Sequence, residues 1–166
     1  MPIFFKTFGK LIFAALALGV IFLFSTLWYF STDLPDYKIL STYKPSISSR
    51  VHSGEGQLIA EYALQKRLFI PYESVPKKVV NSFLSAEDKN FFSHPGIDVK
   101  SITRATIKNI KNIFSEKRLE GASTITQQVA KNFLLTSEVS LKRKIKEAIL
   151  AFRIERAYSK ERIMEL

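Results

Sequence analysis

The chain has 166 residues, 46% of them hydrophobic, which is enough for one domain of ordinary size and a small appendage. It contains no cysteine, so disulfides and thiolate metal sites are excluded. Lys and Arg total 25 against 15 Asp and Glu, and the net charge of +10 favours an anionic partner: nucleic acid, acidic lipid head groups or a phosphorylated substrate. Residues 101–166 carry 14 basic and 7 acidic side chains, so we expect the anion to meet this half.

An uncharged stretch of twenty residues, 11–30, follows a short N-terminal tail, 1–10. About twenty helical residues, at a rise of about 1.5 Å each, span the hydrocarbon core of a bilayer, so this stretch predicts a transmembrane helix. A cleaved signal peptide is the alternative, but its apolar core usually has about 7–15 residues and ends in small residues, unlike Leu27–Phe30. The stretch therefore predicts an uncleaved, single-pass anchor.

The charges that flank this stretch predict its orientation. Lys6 and Lys10 precede it, whereas Asp33 and Asp36 follow it. The positive-inside rule then places the N-terminus in the cytoplasm and the rest of the chain outside the cytoplasmic (inner) membrane, in the periplasm or its equivalent.

Residues 31–75 predict an extracytoplasmic connector with short strands. Pro, Ser and Thr interrupt its first part, and two strand-like runs follow at Ser49–His52 and Gln57–Tyr62. The intervening Ser53–Gly56 carries two glycines, which indicates a hairpin. Residues 65–70 could add a third short strand before Pro71.

From Pro76 the hydrophobic period becomes helical, and we expect residues 76–166 to form a mainly helical domain. In its first helix, Glu87 continues the apolar stripe of Val80 and Phe83. We therefore expect the Glu87 carboxylate to be partly desolvated, which would make it a better proton acceptor near neutral pH. The alternative is an ordinary glutamate at a helix end, open to solvent.

Pro95 and Gly96 end this first helix, and Asp98 can cap a second. The apolar residues expected on the buried side of the second helix are Ile102, Ile107, Ile110 and Phe114. A metal site at His94 is rejected, because the chain has only two His and no Cys, whereas catalytic zinc usually takes three protein ligands. A hydrogen bond that orients the loop is the expected role of His94.

Thr124 and Gln127 form a capping-box pattern at the start of a further helix. Its apolar stripe repeats every four residues, at Ile125, Val129 and Phe133. Another face carries polar side chains: Gln127, Gln128 and Lys131. By itself this pattern describes an ordinary amphipathic helix with a solvated face.

Ser140 begins the next predicted helix, in which Arg143 and Glu147 stand four residues apart and can form a surface ion pair. The expected apolar side of this helix consists of Leu141, Ile145, Ile149 and Phe152. Ser159 caps a last helix, 160–166, that stops in mid-pattern, which is typical of a truncated chain.

Together these residues resemble the motifs of the peptidoglycan glycosyltransferases, glycosyltransferase family 51, which occur in class A penicillin-binding proteins and monofunctional transglycosylases. The residues that match three motifs are Glu87-Asp88 with Phe91, His94 and Gly96; Gly121, Ser123-Thr124-Ile125, Gln127-Gln128 and Lys131-Asn132; and Arg143-Lys144 with Glu147. A fourth motif begins at Lys160, Ile163 and Glu165-Leu166, and a fifth is absent. The resemblance therefore implies that the chain is a fragment of the family's domain. The hairpin resembles class A penicillin-binding proteins more than monofunctional transglycosylases.

The family implies a mainly α, lysozyme-like domain that polymerises lipid II into β-1,4 glycan strands with inversion and releases undecaprenyl pyrophosphate. Glu87 would be the general base for the acceptor hydroxyl, and Lys131 and Arg143 would stabilise the leaving pyrophosphate. Glu147 would be the second catalytic carboxylate, which either holds Arg143 in place or helps to bind a divalent cation, Mg or Mn. The other residues implied in substrate binding are Asp88, Ser123, Thr124, Gln127, Gln128, Asn132 and Lys144.

No tightly bound cofactor is implied, and the expected partners are lipid II, the growing glycan strand, membrane lipid and other cell-wall synthesis proteins. Two alternatives stay open. One is a lysozyme-like hydrolase, which would need a pair of carboxylates and a water. The other is a catalytically inactive, basic module anchored to the membrane, for which an extracytoplasmic location argues against nucleic acid as the ligand.

Overall fold

The computed structural model describes residues 2–43, 48–63, 69–113, 115 and 117–166. The secondary structure elements in chain order are α1 (Pro2–Thr32), β1 (Ser49–His52), β2 (Leu58–Tyr62), α2 (Lys77–Glu87), α3 (Val99–Ile113), α4 (Ile125–Leu134), α5 (Leu141–Ala157) and α6 (Lys160–Glu165). Single 3-10 turns lie at Tyr37–Ser41, Tyr72–Ser74 and Phe91–Ser93. The predicted mainly helical class, with one short hairpin, is confirmed.

Helix α1 contains an apolar segment, Phe8–Thr32, that is long enough to cross a bilayer and has no buried residue. At a rise of about 1.5 Å per residue, a helix of this length exceeds the hydrocarbon thickness of about 30 Å. This segment is the predicted membrane anchor. Its end is joined to α5, because Lys146 Nζ donates a 2.8 Å hydrogen bond to Asp33 Oδ2 and thereby lowers the pKa of that carboxyl.

Strands β1 and β2 pair antiparallel, as predicted, with Ser49 opposite Tyr62 and a bulge between Val51 and His52. Gly56 lies in the connecting turn with φ of 82°, a conformation that glycine adopts without steric cost. The expected third strand, 65–70, falls mainly outside the described residues, and Phe69 and Ile70 are not in a strand.

The burial pattern of α2 contradicts one expectation. Val80 and Leu84 are buried and lie one turn apart, whereas Phe83 is 62% exposed. Val80 and Phe83 therefore do not share one buried face, and Glu87, one turn after Phe83 on the outward side, is exposed rather than partly desolvated. The following residue, Asp88, is the buried carboxylate.

Two other predicted faces are also wrong. In α3 only Ala105 is buried, and Ile102, Ile107 and Ile110 are exposed; Phe114 lies outside the described residues. In α5 the residues expected on the apolar side are only partly buried or exposed, with Leu141 at 85% exposure. The buried face of α5 instead consists of Glu147, Leu150, Ala151 and Ile154.

The hydrophobic core lies where α4 packs on α5, with α2 and α6 closing its sides. Its fully buried side chains include Phe91, Leu150, Ile154 and Ile163. This packing holds three chain segments close together: the end of α2, the start of α4 and the first turns of α5. The residues of the three motifs lie on these segments and on the loops that adjoin them.

Candidate active site

Two adjoining clefts lie over the start of α4. The first, of about 470 Å³, lies between the end of α2, the start of α3 and residues 120–124. The second, of about 240 Å³, lies between α4 and the first two turns of α5. Ser123 and Gln128 line both clefts, so the clefts share a wall.

Glu87, the last residue of α2, lines the first cleft. Its carboxylate is exposed, and its Oε2 accepts a 2.7 Å hydrogen bond from Gln128 Nε2. Because Gln128 also lines the second cleft, this hydrogen bond connects the proposed base to the wall between the clefts. The carboxylate is therefore oriented by a hydrogen bond and stays accessible to a ligand in the cleft.

Asp88 is buried and holds the loop after α2 against the start of α4. Its Oδ2 accepts a hydrogen bond of 3.1 Å from Ile125 N, and both carboxylate oxygens lie within 3.0 Å of His94 Nε2. The backbone N–H of Gly96 donates to His94 Nδ1 (3.1 Å), which makes Nε2 the protonated nitrogen that donates to Asp88. The predicted orienting role of His94 is confirmed. Both carboxylate oxygens of Asp88 already accept hydrogen bonds from protein groups.

The capping box predicted at α4 is present. Thr124 Oγ1 accepts from Gln127 N (3.2 Å), and Gln127 Oε1 accepts from Thr124 N (3.0 Å). Thr124 Oγ1 also donates a 2.6 Å hydrogen bond to the carbonyl of Gly96. The cap therefore joins the second motif to the loop of the first, and it uses the hydroxyl of Thr124 and the side-chain amide oxygen of Gln127.

Cations surround one buried carboxylate in the second cleft. Ser140 caps α5 by accepting from Arg143 N (3.1 Å), which places Arg143 and Lys144 in the first turn and Glu147 one turn later. Arg143 Nε lies 2.9 Å from Glu147 Oε1, and Lys144 Nζ lies 2.8 Å from Glu147 Oε2. Lys144 Nζ also donates to Ser123 Oγ at 2.8 Å. Glu147 thus holds both cations at the cleft.

Glu147 is 2% exposed, so its predicted ion pair with Arg143 lies in the interior and not on the surface. Arg143 Nε and Glu147 Oε1 are close, yet neither atom makes a hydrogen bond of good geometry within the described structure. Among the described residues, these two are the buried side-chain atoms that lack a hydrogen bond.

A cation site for Mg or Mn at Glu147 does not fit these neighbours. Both of its oxygens face cations, and divalent metal sites of this kind use several oxygen ligands. Among the described residues no group of three His, Asp or Glu side chains could hold a metal ion. Of the two roles left open for Glu147, the geometry favours the positioning of Arg143.

The remaining predicted residues take different places. Lys131 is exposed and lines the second cleft with Gln127, which is buried. Asn132 is exposed and lies outside the lining of both clefts. The structure therefore brings every predicted site residue except Asn132 to one of the two clefts.

The sequence did not single out several charged residues that line the first cleft: Lys89, Asp98, Arg104 and Glu120. Asp98 was expected only as a cap, which its 3.0 Å hydrogen bond from Ser101 N confirms. Burial raises the pKa of Asp98, but hydrogen bonds from Ser101 and Asn90 have the opposite and larger effect. The pKa is therefore lowered, to about 2. A hydrogen bond from Lys108 lowers the pKa of Glu120. The only signal in the sequence was position: Lys89 and Asp98 lie in or next to the first motif, and Glu120 directly precedes the second.

Comparison with known proteins shows the family of the chain. Residues 55–166 match the family described as Transglycosylase. Penicillin-binding protein 1A of Rickettsia felis is 54% identical over 140 residues, which are 84% of this chain and 18% of that protein. The proteins of the same name from Aquifex aeolicus and Neisseria flavescens are 45% and 44% identical, over 81% and 80% of this chain and 18% and 16% of their own lengths.

The chain thus spans less than one fifth of the length of these relatives. The family match begins within the hairpin turn and covers both clefts and every motif residue described above. This protein belongs to the transglycosylase family.

Proposed function

We propose that this chain is a peptidoglycan glycosyltransferase that polymerises lipid II into β-1,4 glycan strands and releases undecaprenyl pyrophosphate. The observation that carries the proposal is the pair of clefts that share Gln128 and Ser123. One cleft presents an accessible carboxylate, and the other presents three cations. A transfer from a pyrophosphate donor needs these two chemistries side by side.

Glu87 suits the part of general base. Its Oε2 is oriented by Gln128, while its exposure lets an acceptor hydroxyl approach the carboxylate. The base takes the proton of the 4-hydroxyl as that oxygen attacks the anomeric carbon of the donor sugar. Attack from the face opposite the leaving group gives inversion at that carbon.

Lys131, Arg143 and Lys144 suit the leaving group. As the glycosidic bond to the pyrophosphate breaks, negative charge grows on the departing oxygen, and preorganised cations stabilise that charge. Glu147 balances only one of the three charges, so the second cleft keeps a net positive charge. Its contacts with Arg143 and Lys144 fix two of these cations before the substrate binds.

The location we propose is the inner membrane, with the N-terminus in the cytoplasm and the clefts on the extracytoplasmic side, where lipid II would be consumed. The basic residues before the anchor and the acidic residues after it support this orientation. Helix α1 would then hold both clefts close to the membrane that carries the substrate.

A hydrolase of the lysozyme type is disfavoured. Such an enzyme uses two carboxylates, one of which activates water or attacks the sugar. Glu147, the second carboxylate that the family resemblance implies, is buried between Arg143 and Lys144 and is not available for either task.

The test uses the chain reconstituted in bilayers and supplied with lipid II, with the length of the glycan products measured on gels. Glu87→Gln should abolish polymerisation and preserve lipid II binding, because the exposed side chain contributes little to the fold. Glu55→Gln, in the exposed hairpin turn, removes the same charge and should leave the rate unchanged. Equal rates for Glu87→Gln and wild type, cleavage of existing glycan only, or a wild-type chain that binds lipid II without polymerising it would contradict the proposal.

A further inference from the structure

A groove of about 610 Å³ lies between the anchor helix and α5, apart from both clefts. We call it the interfacial groove. Its apolar walls are formed by Phe24, Leu27 and Trp28 on α1 and by Ala148, Ile149 and Phe152 on α5. None of its lining residues lines either of the two clefts. It is therefore a separate feature of the molecule.

The groove runs along the end of the anchor that leads into the folded domain. From Phe24 to Ser31 the helix rises about 10 Å, which is the distance from the acyl region of one leaflet to its head groups. Trp28 is 76% exposed at this level, as interfacial aromatic residues are. One wall thus belongs to the predicted membrane anchor, which would place the apolar space against lipid.

The polar end of the groove is cationic. Arg153 and Arg156 line it, and its lining contains no Asp or Glu. Arg153 joins the two walls through hydrogen bonds to Ser31. The guanidinium of Arg156 lies 5.8 Å from the centre of the Phe152 ring, and no acidic residue of the described chain pairs with it. An arginine so placed can bind a phosphate from the mouth of the groove.

We propose that the interfacial groove binds one anionic phospholipid of the leaflet that faces the folded domain. One acyl chain lies against Phe24, Ile149 and Phe152, and the phosphodiester and acidic head group contact Arg156 and Arg153. The bound lipid fills the space between α1 and α5. Because α5 also carries Arg143 and Glu147, the lipid sets how the second cleft sits relative to the membrane.

Trp28 is the only tryptophan of the chain and lines the groove, so its fluorescence reports on the occupant. The chain is reconstituted in phosphatidylcholine bilayers, and part of the lipid is replaced by phosphatidylglycerol or phosphatidylcholine with brominated acyl chains, which quench tryptophan on contact. Brominated phosphatidylglycerol should quench Trp28 more strongly at the same mole fraction. Each arginine should contribute roughly fivefold to this preference, the factor expected for a basic residue at an anionic membrane surface.

Arg156→Gln is the test variant, since Arg156 is exposed and its loss should not disturb folding. Arg50→Gln, on the exposed hairpin, is the matched control and should keep the preference. Equal quenching by both brominated lipids in the wild type would overturn the proposal, because the lipid beside Trp28 would then be bound without regard to its charge. Loss of quenching on addition of undecaprenyl pyrophosphate would also overturn it, because the groove would then hold the polyprenyl chain of the substrate. If Arg156→Gln kept the wild-type preference for phosphatidylglycerol, Arg156 would not bind the phosphate and the proposal would be wrong.

Discussion

The side-chain amide of Gln128 on α4 donates a 2.7 Å hydrogen bond to the carboxylate of Glu87 at the end of α2. The two residues are 41 positions apart in the chain, and each belongs to a different motif. Their contact sets the orientation of the proposed base relative to the cations that follow on α4 and α5. This hydrogen bond therefore links the proposed base to the wall that the two clefts share.

Replacement of this donor should lower the rate more than the affinity. In Gln128→Leu the Glu87 carboxylate loses its orienting partner, and a displacement of about 1 Å at a reacting group costs about 100-fold in rate. Steady-state kinetics with lipid II should show the loss mainly in kcat. Gln57→Leu, in the exposed hairpin, is the control and should match wild type. A change confined to KM would show that Gln128 binds substrate and does not orient Glu87.

Gly96 should not tolerate a side chain. Its φ is 98°, and an added Cβ would lie 2.7 Å from the carbonyl oxygen of Ala151. Gly96→Ala should lower the free energy of unfolding by about 2 kcal/mol, the cost typical of a strained backbone position. Gly54→Ala is the control, since an added Cβ there meets no atom within 4 Å. Denaturant unfolding followed by circular dichroism measures both, and equal stabilities would contradict the close approach.

Lys160 of α6 contacts both the loop after α2 and the end of α5. Its Nζ donates to the His94 carbonyl and to Glu155 Oε1, both at 2.8 Å, and lies 4.4 Å from the centre of the Phe91 ring. Among the described residues, Lys160→Met would leave the buried Glu155 carboxylate with only the hydroxyl of Thr126, at a cost of about 3 kcal/mol.

Two further variants test whether the loss in Lys160→Met comes from the unpaired charge of Glu155. Glu155→Gln added to Lys160→Met should recover part of the lost stability, because no buried charge then stays unpaired. Lys108→Met, which breaks the exposed pair with Glu120, should change the unfolding midpoint little. If Lys160→Met were as mild as Lys108→Met, the buried pair would not hold this region together.

The contribution of Asp98 should be lost in acid. Its folded pKa of about 2 lies below the ordinary value of 3.8, so the stability that its carboxylate provides is complete above that value and disappears as the pH falls through about 2. Asp98→Ala removes the cap of α3 and should cost about 1 kcal/mol near neutral pH. Unfolding measured against pH should show the two proteins converging between these values, and a constant difference would contradict the assignment.

Local patterns predicted many elements correctly. Capping by Thr124, Ser140 and Ser159 and the hairpin around Gly56 depend on residues a few positions apart, so the sequence shows them directly. The anchor follows from length and composition alone. The motifs at Glu87, Lys131 and Arg143 were likewise legible, because their spacing is characteristic of the family.

The sequence by itself therefore determined the elements, their caps and the family. Only the tertiary structure decided which faces are buried, since burial depends on what each helix packs against: Phe83 faces outward, whereas Glu147 lies inside between two cations. The tertiary structure also decided that Asp88 accepts a hydrogen bond from the start of α4 and that Gln128 donates one to Glu87. Both contacts join residues more than thirty positions apart, so no local pattern shows them. Hydrophobic periodicity describes the faces of a single helix, whereas each cleft is formed by residues from several helices and loops.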